Sequence, residues 1–237
     1  MSKALRVLLV GPCGQMGREI KNLIESNKST SYVGGVDYKG RATFKSIKEV
    51  DPSHVDVVIE FSSLKGLKES LEWCAKNKIP IVSGTTGLTK KERASIKSAS
   101  KKTAVLWAAN MSRGIAFMAS VLKSFSVLKN DFDFQIEEIH HRRKKDNPSG
   151  TALYLQDIVE SSIGKKLPKA LGLRGGGVFG EHSFYALSED EVLLFKHTAL
   201  NRKVFASGAV TAAAWLAKKW KKTKKASIYQ LSDTFGD

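Results

Sequence analysis

The 237-residue chain carries 39 lysines and arginines against 23 aspartates and glutamates, a formal net charge of +16, and is 42% hydrophobic and 26% charged. This composition excludes the disordered, collagen-like and membrane-spanning classes and leaves room for one large domain or two modest ones. No apolar run approaches the roughly 18 residues of a spanning helix, and the first residues do not read as a signal peptide. Two cysteines, Cys13 and Cys74, make neither a disulfide framework nor a metal cluster, so no metal is expected and a reducing cytoplasm fits best. The charge excess points to an anionic partner without choosing one, and the lysine runs at 218–222 and 224–225 read as a solvated helix face.

In chain order, the apolar run Arg6 to Val10 predicts a buried strand, and Met16, Ile20, Leu23 and Ile24 then fall at helical spacing. Val33 to Asp37 and Val55 to Phe61 read as further strands, followed by a helical face of Leu64, Leu67, Leu71, Cys74 and Ala75. Ile79 to Ser83 is a fourth strand, Thr89 and Glu92 are spaced as a capping box, and Ala104 to Ala108 is a fifth strand. Strands alternating with helices imply a parallel sheet covered on both faces. From Asn110 the pattern changes: a helix over 115–128, alternation at Phe132, Phe134 and Ile136, a histidine-rich stretch, a helix over 151–163, strands over 178–187 and 192–199, and a last apolar helix over 210–220. The predicted division is a dinucleotide-binding domain of residues 1–111 joined by a C-terminal helix over 209–237, and an α+β domain over 112–208.

Gly11-Pro12-Cys13-Gly14-Gln15-Met16-Gly17 follows a strand and opens a helix. Glycine lets backbone approach a pyrophosphate, and the helix start attracts its charge. The spacing is G-x-x-G-x-x-G, and Pro12 contributes no N–H. Asp37 closes the second strand about twenty residues on, where an acid accepts hydrogen bonds from an adenosine ribose. That favours NADH, yet Lys39 and Arg41 just beyond could take the extra phosphate of NADPH. Gly84-Thr85-Thr86-Gly87 and Ala108-Ala109-Asn110-Met111-Ser112 each follow a strand, at the sheet end where ligands collect. Cys13 reads as a packing residue.

Glu138-Ile139-His140-His141-Arg142-Arg143-Lys144-Lys145-Asp146-Asn147-Pro148-Ser149-Gly150-Thr151 is the densest functional stretch. Adjacent histidines on a strand point oppositely, which argues against a metal and for acid/base work. Ser149, Gly150 and Thr151 open a helix whose first amides suit a carboxylate.

Together these motifs resemble the 4-hydroxy-tetrahydrodipicolinate reductase family, also called dihydrodipicolinate reductase. The resemblance runs from Gly11–Gly17 through the 84–87 and 108–112 loops to His140, His141, Lys144, Asp146 and Pro148–Thr151. It continues in Arg174-Gly175-Gly176, Gly180-Glu181-His182, His197, Arg202 and the segment Ala206 to Ala214. It implies an α/β fold: a Rossmann-like dinucleotide-binding domain plus an α+β substrate and oligomerisation domain, assembled as a homotetramer. It further implies NADH or NADPH as hydride donor, a small dicarboxylate substrate on the diaminopimelate route to lysine, and a closing motion between lobes. His140 would exchange a proton with Lys144 as a further donor, while His141, Ser149, Gly150 and Thr151 would bind carboxylates. Gly11, Pro12, Cys13, Gly14, Gln15, Met16, Asp37, Gly84, Thr85, Thr86, Ala108, Ala109, Asn110 and Met111 would bind the cofactor. The chain departs from the family in a shorter segment between the second and third strands, in Arg143, and in Asn147 where alanine is frequent.

Two rival readings are weaker. A nucleic-acid binder could use the basic surface, with Trp220 and Tyr229 for stacking, but no recognisable reading module is present. A dehydrogenase of aspartate or a semialdehyde would share the first domain but not the double-histidine stretch. Neither specific nucleic acid nor membrane is expected as a partner.

Overall fold

The computed structural model describes residues 3–236. The chain divides into two units, Met1–Met111 with Phe205–Asp237, and Ser112–Val204. The first begins with β1 (Leu5–Val10), α1 (Gln15–Ser26), β2 (Thr30–Val36), β3 (Val57–Glu60), α2 (Leu64–Asn77), β4 (Ile81–Ser83), α3 (Lys90–Ala99) and β5 (Ala104–Trp107). The second contains α4 (Arg113–Leu122), β6 (Asp133–His140), α5 (Gly150–Ile163), β7 (Leu171–Arg174), β8 (Glu181–Leu187) and β9 (Val192–Thr198). α6 (Lys203–Thr223) and β10 (Ser227–Tyr229) then return the chain to the first.

In the first unit six parallel strands lie in the order β10-β5-β4-β3-β1-β2. Strands buried on both faces must be apolar throughout, and Val7, Leu8, Leu9, Val57, Val58, Ile59, Ile81 and Val82 are fully buried. Ser63 caps α2 by accepting from the Gly66 N–H, and Thr89 with Glu92 forms the expected capping box at α3; each such cap is worth about 1 kcal/mol. Only two single 3-10 turns, Ile47–Glu49 and Pro52–His54, bridge the short segment between β2 and β3.

α6 begins well before residues 209–210, where the sequence placed its start, and stops at Thr223, so the helix expected over 209–237 gives way to β10. Gly208 hid its first turns, since an interior glycine weakens a helix taken alone. Here a Cβ at Gly208 would stand 1.7 Å from the Met111 carbonyl oxygen, so close packing demands the glycine. Trp220 and Tyr229 are buried, and Tyr229 meets Trp215 edge-to-face. The aromatic pair invoked for stacking on nucleic acid therefore lies in the interior.

The second unit has a sheet in the order β7-β6-β8-β9, with β7 parallel to β6 and the other pairs antiparallel. Alternation sends Phe134, Ile136, Phe184 and Ala186 inward onto Ile115, Met118 and Leu122 of α4 and Leu155 and Val159 of α5. The helix expected over 115–128 is α-helical only to Leu122 and finishes as a 3-10 turn, Lys123–Leu128. The strand expected from Val178 starts at Glu181. On the opposite side of the sheet Leu171, Leu173, Leu187, Val192 and Leu194 are exposed. Among the described residues no helix is long and apolar enough to cross a membrane.

Candidate active site

In the first unit the chain order reverses between β1 and β3, the switch point at whose strand ends open α/β sheets bind ligands. Gly11 turns there with φ +87°, and a Cβ on it would lie 2.3 Å from the Phe61 carbonyl oxygen. Gly17, in the first turn of α1, would place a Cβ 1.9 Å from the Gly11 carbonyl oxygen. The two glycines let loop and helix interlock. Gly14 is the N-cap and makes no side-chain cap bond, so the positive end of α1 faces the loop, with Gln15 and Met16 next in line. Pro12 packs against Gly35.

Asp37 follows β2, and its carboxylate accepts from the backbone N–H groups of Lys39 (3.0 Å) and Gly40 (3.4 Å). A cavity of about 250 Å³ beside it is lined by Asp37, Tyr38, Lys45, Ser62, Lys65 and Gly66. A second recess of about 590 Å³ presents Cys13, Arg18, Lys21, Tyr32 and Arg41. Burial and the neighbouring Asp37 push the Cys13 thiol up, which keeps it protonated and fits a packing role. These features fit a dinucleotide: a glycine cradle that a Cβ would fill, a helix start, and an acid beside a cavity.

Gly84 follows β4 and presses on the Phe61 ring, where a Cβ would be 2.3 Å away. Thr85 is buried, its carbonyl accepts from Trp107 Nε1 at 2.9 Å, and Thr86 is exposed. Ala108 donates to the Ser83 carbonyl at 3.2 Å. Ala109 and Asn110 follow, and Met111 is buried. Glu60, which the sequence reading missed, ties these loops together. Fully buried at the end of β3, it accepts from the Ser62 N–H (2.8 Å) and from the hydroxyls of Ser62 (2.6 Å), Ser83 (2.6 Å) and Thr85 (2.9 Å). Burial pushes its carboxyl up and the four donors pull it back only in part. The available signal was an acid closing the apolar run Val57–Glu60.

In the second unit β6 ends at His140, which is buried, while His141 is half-buried with its N–H on the Val178 carbonyl at 2.7 Å. His140 Nδ1 is hydrogen-bonded to Glu138. Burial pulls the His140 imidazole down, Glu138 opposes this, and the positive charges of Lys144 and Arg174 add to the depression. Lys144 Nζ lies 2.9 Å from Asp146 Oδ1. Burial would raise the Asp146 carboxyl, but Lys144 and the Gly150 N–H hold it below its usual range.

Ser149 caps α5, accepting from the Ala152 N–H at 3.1 Å. Its own N–H goes to Glu138 Oε1 at 3.0 Å, and its hydroxyl lies 3.3 Å from His182 Nε2. Ser149 thus builds the helix start, and the exposed Gly150 and half-buried Thr151 form its first turn. His182 is driven by burial down to about 3, and His140 lies edge-on to it. Cross-strand from His182, His197 is 3.0 Å from Ser112 Oγ. The structure brings His140, Lys144, Ser149, Gly150 and Thr151 onto one strand end and the loop and helix that follow it. Glu138, Arg174 and His182 are the partners the sequence reading left without a role. Among the described residues no group of three or more His, Cys, Asp or Glu side chains is placed to hold a metal ion.

Comparison with known proteins agrees with this layout. Residues 5–111 match the family model described as dihydrodipicolinate reductase, N-terminus, and residues 114–235 match the corresponding C-terminus. A 4-hydroxy-tetrahydrodipicolinate reductase of Bdellovibrio bacteriovorus is 48% identical over 98% of this chain and 96% of its own length. One from Zymomonas mobilis is 36% identical, with 98% of each chain covered. The fold also matches the dipicolinate-bound dihydrodipicolinate reductase of Paenisporosarcina sp. TG-14, with TM-score 0.77, 20% identity, and 96% and 98% of the two chains covered. Two adjoining family matches and relatives aligned from end to end show that the chain belongs to the dihydrodipicolinate reductase family of nicotinamide-dependent oxidoreductases.

Proposed function

We propose that the chain reduces 4-hydroxy-tetrahydrodipicolinate, by way of dihydrodipicolinate, to tetrahydrodipicolinate in the diaminopimelate route to lysine, with NADH or NADPH as reductant. The carrying observation is His140. Its Nδ1 is tied to a carboxylate, which leaves Nε2 for proton exchange, and Lys144 lies close enough to depress its proton affinity. The chain between them and α5 leads straight to a helix start suited to a carboxylate.

A reduced nicotinamide held by the glycine loop and the 84–87 and 108–111 loops would supply a hydride to the conjugated imine, dihydrodipicolinate, that remains once the 4-hydroxy substrate has lost water. His140 then gives a proton to the resulting enamine, so that dihydrodipicolinate gains one hydride and one proton. Lys144 supports this as a second donor and, with the amides of Gly150 and Thr151 and the side chain of His141, balances the two carboxylates. The dipicolinate held by the Paenisporosarcina structure is a dicarboxylate of this kind.

A coupled assay that generates the labile substrate in place and follows oxidation of each reduced cofactor tests the reading. Substrate-dependent oxidation is expected; reduction of the oxidised cofactor by aspartate, or by a semialdehyde with phosphate, in its place would favour the sister dehydrogenases. In the same assay Lys144→Ala is expected to lower kcat by about a hundredfold, the lower end of the range for a proton-transfer group. Unchanged turnover would remove Lys144 from the mechanism.

The same reading gives Asp37 the adenosine ribose, and Arg18, Lys21 and Arg41 the extra phosphate of NADPH. Asp37→Ala should therefore weaken NADH several-fold more than NADPH in fluorescence titration, and equal weakening would take the ribose contact away. The exposed apolar side of the second sheet, from Leu171 to Leu194, supports self-association as a homotetramer. The free thiols Cys13 and Cys74 fit a reducing cytoplasm.

A further inference from the structure

Glu138 and His140 stand two residues apart on β6, so strand alternation puts both side chains on the same side of the sheet. Glu138 is fully buried and its oxygens are saturated. Arg174 reaches them with Nη1 at 2.9 Å and Nη2 at 2.6 Å, the Ser149 N–H with 3.0 Å, and His140 Nδ1 closes the set. On β7, Gly172 pairs with Glu138 and makes room for it, since a Cβ at Gly172 would come within 2.8 Å of Oε1. Arg174 pairs with His140 on the same strand.

We propose that Glu138, paired with Arg174, is the positioning residue that fixes the ring orientation and tautomer of His140, so that Nε2 is the nitrogen offered for proton exchange. A carboxylate with Arg174 and an amide already on it can only accept, so Nδ1 must carry the proton of the neutral ring. Glu138 itself, buried and fully engaged, touches no substrate. Gly180 completes the arrangement on the other side: a Cβ there would be 3.0 Å from His140 Nε2, so a side chain at that position would crowd the working nitrogen.

Arg174 has a second effect. A lone carboxylate would raise the proton affinity of the imidazole and hold it charged. Burial of the ring opposes this most, and the positive charges of Lys144 and of the Arg174 guanidinium on Glu138 act in the same sense. The groups facing His140 are thus Glu138 on its own strand, Arg174 on β7, His182 on β8 and Lys144 on the following loop.

The inference rests on the proposed role of His140, and its test is read without substrate. Nitrogen-15 histidine spectra of the full chain, with the His140 signal assigned by difference from His140→Gln, report tautomer and titration midpoint. Wild type should show a neutral ring protonated at Nδ1. In Glu138→Gln the amide NH2 can donate to Nδ1, so the ring should shift toward the Nε2-protonated form and titrate at lower pH. Arg174→Gln should titrate at higher pH, and it carries the test if Glu138→Gln does not fold. A purely structural role would not move the two midpoints in opposite directions. An unchanged tautomer and midpoint in the folded variants overturns the proposal. In the reduction assay Glu138→Gln should lose about a hundredfold or more in kcat with the NADH KM within about twofold, as expected when a proton-transfer histidine is held in the wrong tautomer. Failure of wild type in that assay, with the tautomer shifts present, would reject the reaction and leave the positioning intact.

Discussion

His140→Ala is expected to lower kcat by about a hundredfold to ten-thousandfold, the range a positioned proton-transfer group contributes. Its cofactor Kd should stay within about twofold. The separation follows from the fold. His140 closes β6 in the second unit, whereas the glycine loop, Asp37 and the Glu60-tied loops all belong to the first. Removing the imidazole also leaves Glu138 short of one of four donors, so some loss of stability accompanies the loss of turnover. Rate and affinity should therefore be measured on protein whose Tm has been checked. Full turnover in folded His140→Ala would remove the proton-exchange assignment, and a matching collapse of NADH affinity would mean that the histidine serves the cofactor instead.

Gly17→Ala is the second large effect expected. The added methyl would sit 1.9 Å from the Gly11 carbonyl oxygen and 2.8 Å from Pro12 Cα, both backbone positions with no side chain to swing aside. Either α1 or the loop must move. A core clash of this kind costs roughly 3 kcal/mol, a fall in Tm of roughly 10 °C for a chain of this size. The shifted loop should also lose more than tenfold in NADH affinity, because the amides at the start of α1 no longer converge. Gly177→Ala, where a Cβ meets nothing within 4 Å, is the matched control and should be neutral. Equal behaviour of the two variants in thermal melts and NADH titrations would contradict the interlocked loop.

What the sequence made legible follows from how local each signal is. The apolar runs of β1 and β3, the amphipathic α2 and the capping box at α3 are written in neighbouring residues, and the structure has them within a few positions. β7 and β10 went unseen because they are short, Leu171–Arg174 and Ser227–Tyr229, and exist only by pairing with distant strands. The extent of α6 was hidden by Gly208, whose justification lies nearly a hundred residues away at Met111.

At the site, the histidines, Lys144 and the helix start announced themselves as a cluster, whereas the carboxylate holding His140 did not. Glu138 shares the inward parity of Phe134, Ile136 and His140, and that parity was the one local sign that an acid in this strand is buried. Its partner Arg174 arrives on an edge strand that the sequence did not reveal. Glu60 is a similar case, an acid at the end of a wholly buried strand.

The order of strands also bears on how the molecule is made. β10 pairs with β5, yet the whole second unit is synthesised between them. On the ribosome the edge of β5 must wait, unpaired, through synthesis of the second unit and α6, while the continuous second unit can mature as soon as it emerges. A nascent chain stalled before Ser227 would expose that strand edge to sticking, which makes the last stretch of translation the hazardous one for this protein.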